Sequence, residues 1–133
     1  MANTAQRNYA KSFLKKAEEY IASAEDNLTA ERHTPAAGDA IHAGISSKDA
    51  IVTTLTGSTS KGKDHATAAM ELKRALGKRP ESTTAEKALR ELLSAKGDVE
   101  YGVALVSAAK AESLVRRART LVELAVQIVR LGR

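Results

Sequence analysis

Residues 83–102 read TTAEKALRELLSAKGDVEYG, and the rest of the chain takes its order from them. Thr83 and Glu86 have the spacing of a capping box, in which a hydroxyl and a carboxylate satisfy each other's free backbone amides. Ala85, Ala88, Leu89 and Leu92 then recur at three- and four-residue steps, the mark of a helix with one buried face. Gly97 is expected to end that helix. Lys96-Gly97-Asp98-Val99-Glu100-Tyr101 then forms a short polar break, closed by Gly102. If any segment carries chemistry it is this break, where a cation, two carboxylates and a phenol lie within six residues.

Downstream, Val103–Val106 is apolar and Ser107 is a good helix cap. The stripe Ala111, Leu114, Ala118, Leu121, Ala125 and Ile128 predicts a long last helix over about 108–131. Upstream, Phe13, Ala17, Tyr20, Ala24 and Leu28 predict a first helix over about 4–32, with Tyr9 and Tyr20 packing at its boundary. Thr34-Pro35 reads as a cap followed by a first helical position, which starts a second helix ending at Gly57. Gly38, Gly44 and Ser47 thin its buried face and let another helix come close. A short third helix, about 64–76, is inward at Ala69, Leu72 and Leu76, and stops at Gly77 and Pro80. The expected fold is all-α, a five-helix antiparallel bundle with three long helices (first, second and fifth) and two shorter ones, in a single domain over 1–133.

Composition agrees. The 133 residues are 43% apolar but only 3% aromatic, with no tryptophan, so the core is built from Ala, Leu, Ile and Val. Such small side chains suit helices packed closely together. Cysteine is absent, which excludes disulfides, thiolate metal sites and cysteine nucleophiles. No run approaches the roughly 18 apolar residues that span a bilayer, and the first twenty residues have no apolar signal core. A soluble, cytoplasmic protein without cofactor or metal is expected. The net charge is +5, from 21 Lys and Arg against 16 Asp and Glu; it permits a nucleic-acid or acidic partner and requires neither.

Residues 57–64, GSTSKGKD, match the phosphate-loop spacing GxxxxGK. Asp64 stands where the magnesium-binding hydroxyl belongs, however, and no acidic-ended strand follows, so the segment reads as an exposed helix connection. His33, His42 and His65 are far apart and read as structural or surface histidines.

The opening FLKKAEEYIASAEDNL, the link TLTGSTSKGKDHATAAMELKRAL and the segment LRELLSAKGDVEYGVALVSAAKAESLVRRARTLVELA together resemble the HEPN family of small all-α domains. The likeness covers nearly the whole chain. Active members of that family are metal-independent ribonucleases whose signature is an arginine followed, four to six residues on, by a histidine, often doubled across a homodimer. The resemblance puts Lys96 at the arginine position and Tyr101 at the histidine position. Lysine is a point charge that cannot hold a phosphate bidentately, and tyrosine, with a reference pKa of about 10, does not shuttle protons near neutrality as histidine does. The resemblance therefore implies a non-catalytic domain, or one with much-reduced activity.

On this reading Lys96, Tyr101, Arg116 and Arg119 line a phosphate-tolerant surface. Arg116 and Arg119 share a helix face, with solvated helix surface or salt bridges to Glu112 and Glu123 as the bland alternative; Asp98 and Glu100 serve loop solvation or capping. The expected function is a HEPN-like binding domain, a homodimer associating with RNA, a nucleotide or a protein, in a toxin–antitoxin-like or stress setting and with a nucleotidyltransferase-like partner. The rivals are a ribonuclease with Lys96 and Tyr101 as its altered site, and a purely structural helix-bundle protein.

Overall fold

The computed structural model describes residues 3–58 and 65–133. The chain forms α1 (Thr4–Thr29), α2 (His33–Thr56), α3 (His65–Leu76), α4 (Ser82–Tyr101) and α5 (Ala108–Ala125), the last running on into a π turn, Val126–Arg130. The all-α, five-helix expectation holds, with one change of proportion: α4, at 20 residues, is as much a frame helix as α5.

Cross-helix pairs fix the register. On α1 and α2, Tyr20 stacks on His42 at 5.2 Å between ring centroids. Further along, the Asp39 carboxylate accepts from Ser23 Oγ at 2.6 Å and Asn27 Nδ2 at 3.0 Å. Residue numbers fall on one helix as they rise on the other, so α1 and α2 are antiparallel. Arg119 with Glu25 and Arg130 with Glu18 set α5 antiparallel to α1 in the same way. Positions 38 and 44 of α2 face Val99 and Leu92 of α4, so these two helices also run oppositely.

α2 and α5 pack on each other in the middle, α1 lies against both from one side, and α4 lies against both from the other. α3 joins the ends of α2 and α4. It is pinned by Lys48, a lysine only 5% exposed whose Nζ sits 2.6 Å from Glu71 Oε1 and 3.0 Å from Asp49 Oδ1. Burial raises the Asp49 carboxyl above its usual range despite that neighbour, because a partly desolvated carboxylate is costly even when paired.

Nearly half of the buried apolar positions are alanine, and phenylalanine contributes only the half-buried Phe13. Small side chains bring helix axes together, most closely at Gly44. A Cβ there would lie 2.5 Å from Leu92 Cδ1 and 3.4 Å from Leu121 Cδ1, both fully buried side chains. The thin face expected on α2 is therefore used at Gly44. At Gly38 the neighbour Val99 stands off at an ordinary 3.9 Å.

Four local expectations are corrected. First, α1 stops at Thr29 rather than near Arg32: Glu31 takes a left-handed φ of 61°, and the amide of Arg32 turns back to the carbonyl of Asn27 at 2.8 Å. Second, Thr34 does not cap α2. The helix begins at His33, and Thr34 Oγ1 instead accepts the amide of Val106 at 3.0 Å, tying the α4–α5 connection to α2. Pro35 is tolerated because first-turn amides need no partner within the helix.

Third, the Thr83–Glu86 box is not formed. Glu81 occupies the cap of α4 without a side-chain bond, and Glu86 pairs with Arg90 and Lys73. A capping box does exist at the start of α1, where Asn3 Oδ1 accepts from the Gln6 amide at 2.9 Å and Gln6 Oε1 from the Asn3 amide at 2.7 Å. Fourth, Gly97 does not end α4. The helix runs through the whole segment expected to be a break and stops at Tyr101. The cap at Ser107 is as expected, its hydroxyl accepting from the Lys110 amide. Of the phosphate-loop pattern, residues 59–64, Lys63 and Asp64 among them, lie outside the described residues.

Gly44 and Gly97 give opposite expectations for one substitution. Gly97 is exposed inside α4 with nothing within 4 Å of an added methyl, so Gly97→Ala should stabilise by about 0.5–1 kcal/mol through helix propensity alone. At Gly44 the same gain meets overpacking against the fully buried Leu92, which costs about 1–3 kcal/mol. Gly44→Ala should therefore lower the urea midpoint while Gly97→Ala raises it; equal effects would show that α2 and α4 are not in close contact.

Candidate functional site

Because α4 continues to Tyr101, Lys96 and Glu100 sit one turn apart on the same flank. Lys96 Nζ donates to Glu100 Oε2 at 2.8 Å. That bond raises the Lys96 ammonium above its ordinary pKa and, from the other side, holds the Glu100 carboxyl below the usual glutamate range. Both groups are therefore charged at neutral pH.

The flank faces the outside of α2. There His42 Nε2 stands 3.4 Å from Glu100 Oε1, at ion-pair reach when the imidazole is protonated. The Tyr20 ring of α1 covers the other side of that imidazole. Three helices thus bring Tyr20, His42, Glu100 and Lys96 into one row, with Tyr101 at its end. Tyr101 is 79% exposed, with its hydroxyl hydrogen-bonded to Glu100.

Arg116 and Arg119 are elsewhere. On the outside of α5, Arg119 Nη2 bonds Glu25 of α1 at 2.6 Å, and Arg117 engages Glu91 of α4. Arg116, between them, is exposed. The partners of this arginine face are residues of the flanking helices, not the Glu112 and Glu123 suggested by spacing within α5. The outside of α2 and the outside of α5 are opposite faces of the bundle. The structure brings Lys96 and Tyr101 together and leaves Arg116 and Arg119 across the molecule from them, so the four do not form one phosphate-binding groove.

Sequence reasoning missed His42 as a member of the row. Its only signal lay in the antiparallel pairing of α2 with α4, which places position 42 beside position 100. Chemically, a carboxylate-backed imidazole beside an ammonium can bind an anion, once Glu100 is displaced from Lys96, or move a proton. No group of three or more metal-ligating side chains occurs among the described residues.

Beyond the row, the chain turns out of α4 through Gly102 and exposes Val103 completely and Leu105 to 87%. Ala104 is exposed as well, while Val106 turns inward on its bond to Thr34. Tyr101, Val103 and Leu105 are three large side chains exposed close together in the chain, and of these Tyr101 also hydrogen-bonds through its hydroxyl to Glu100.

No family model, no curated protein and no solved structure matches the chain.

The Lys96–Glu100 pair sets a pH expectation. A carboxyl whose folded pKa lies below its unfolded value of about 4.3 contributes stability above that pH and loses it as the pH falls through the folded value. Glu100→Gln should therefore lower stability by about 0.5 kcal/mol at pH 7, the size of an exposed pair one turn apart. The difference from wild type should shrink in thermal melts as the pH falls below the unfolded value and Glu100 becomes protonated, and a difference that stays constant through acid would mean the glutamate acts through packing instead.

Proposed function

We propose that the chain is a non-catalytic helical binding domain of HEPN-like layout that works by protein association. The observation that carries this reading is the strip Tyr101, Val103 and Leu105, exposed at 79%, 101% and 87%. Isolated exposed apolar residues are ordinary on protein surfaces. Three alternate residues, at the end of α4 and on the connection that Thr34 ties to α2, expose on the order of 400 Å² of surface, the size of a monomer's largest apolar patch, which is often functional. The cations suggested for phosphate are engaged internally at Lys96 and Arg119, which favours a protein partner over RNA or a nucleotide. The homodimer and the nucleotidyltransferase-like partner implied by the family resemblance are both partners of this kind.

One observation favours a second reading. His42 Nε2 stands 3.4 Å from Glu100, the chain neighbour of Tyr101, which the resemblance would put at the histidine position, and an imidazole there would suit proton transfer. On that reading the chain is a metal-independent ribonuclease with an altered site.

The two separate in one experiment. Purified protein is incubated with a labelled mixed-sequence RNA at low and high salt, beside Lys96→Ala and His42→Ala, and each sample's association state is followed by sedimentation. The association reading expects intact RNA throughout and a wild-type association lost in Val103→Ser/Leu105→Ser. RNA cleaved by wild type and spared by either alanine variant would overturn it in favour of the ribonuclease.

A further inference from the structure

The net charge of +5 conceals a division that the fold makes visible. Antiparallel helices bring alternate ends of the sequence to the same end of the bundle. At one end lie the start of α1, the link from α3 to α4, and the end of α5. Their proximity is direct: Arg79 donates to the carbonyl of Arg133, and Arg7 and Lys11 share a hollow with Ile128, Val129 and Gly132. Residues 4–16, 73–81 and 126–133 hold ten Lys and Arg and a single acid, Glu81.

At the other end lie the α1–α2 turn, the end of α4 and the start of α5, joined by the Val106–Thr34 bond. Residues 25–39 and 96–112 there hold seven Asp and Glu against three Lys and Arg. One end of the molecule is strongly basic and the other acidic.

Each end also carries an apolar element. The acidic end bears the strip Tyr101, Val103 and Leu105, with Asp98, Glu100 and Glu112 close to it in the chain. The basic end bears a hollow of about 240 Å³ lined by Ala10, Ile128 and Val129 with Thr54, and edged by Arg7 and Lys11, with no acidic side chain among the described residues that line it. A projecting apolar strip in an acidic setting faces, on a second copy, an apolar hollow in a basic one. Charge and apolar character are complementary between opposite ends, whereas two acidic ends would repel.

We infer that the partner of the strip is a second copy of this chain bound head to tail, with Tyr101, Val103 and Leu105 of one copy seated in the Arg7–Lys11–Ile128 hollow of the next. The inference rests on the association reading above and names its partner. Such a contact is heterologous: it uses two different patches, leaves one of each free at the ends of every assembly, and so extends rather than closing at two copies. Its charge component weakens as salt screens the ends.

The test uses the full chain and two variants in exposed residues, each checked for native helicity by circular dichroism. Val103→Ser/Leu105→Ser removes the strip and keeps the hollow; Arg7→Glu/Lys11→Glu reverses the rim and keeps the strip. By sedimentation velocity at low salt, wild type is expected to form concentration-dependent species larger than a dimer, weakened at least tenfold in 0.5 M salt. Each variant alone should be monomeric, and an equal mixture should form a complex that stops at two chains. If the rim variant alone still pairs while the strip variant does not, the strip binds its own kind and the head-to-tail contact is overturned, with the association reading intact. If the strip variant behaves as wild type, the association reading fails as well. Wild type that is monomeric at every concentration and salt would overturn the self-pairing.

Discussion

The fold depends on how closely α2 is allowed to approach its neighbours at Gly44. With hydrogen in place of a side chain, the backbone of α2 lies against the Leu92 and Leu121 methyls, so a single point joins α2, α4 and α5. The alanines at 36, 37, 40, 43 and 50 extend the same narrowness along the helix, all of them fully buried. A core with almost no aromatic volume can exclude water only if its helices sit this close. Close approach in turn decides what lies outside: α2 and α5 are drawn together, α1 and α4 are pushed to the flanks, and the outer faces of α2 and α5 each become a place where both flanking helices can reach across. His42 with Tyr20 and Glu100 is the result on one side. Arg117 with Glu91 and Arg119 with Glu25 are the result on the other.

The helices were legible because their apolar stripes are regular and made of strong helix formers. What misled was local punctuation. Gly97 in a run of polar residues has the look of a helix end, yet a mid-helix glycine costs only about 1 kcal/mol. The turn beyond it recovers that through Val99 packed on the core, the Lys96–Glu100 bond and the His42 contact. Thr34 and Thr83 have the spacing of caps, but a threonine is as useful to a neighbouring chain segment as to its own helix, and Thr34 serves the amide of Val106. Glu31 ended α1 with a left-handed backbone that no glycine announced.

The candidate site was half legible for the same reason. Lys96 and Tyr101 stand out within one segment of sequence; His42 and Tyr20 join them only through the register of three helices. Arg116 and Arg119 show the converse. Their spacing on α5 is right for a shared face, but which face that is depends on Glu25, 94 residues away from Arg119 in the chain. Spacing within a helix reports which side chains travel together and is silent about what they meet.

Net charge misleads by the same logic when it is summed along a chain that folds back on itself. A value of +5 suggests a mildly basic surface suited to nucleic acid. In an antiparallel bundle, however, the physically meaningful sum runs over each end, where segments far apart in sequence meet. There the acids gather around the exposed strip and the bases around the hollow. Like charges gathered at one end repel each other, and α1 and α4 run opposite to α2 and α5, so helix dipoles largely cancel and do not relieve that repulsion. Within a single copy the division therefore gains nothing for folding. A surface that is costly in isolation and complementary to its own opposite end is one whose charge arrangement is relieved by a neighbour, and for a chain with an apolar strip at one pole and an apolar hollow at the other, the simplest neighbour is itself.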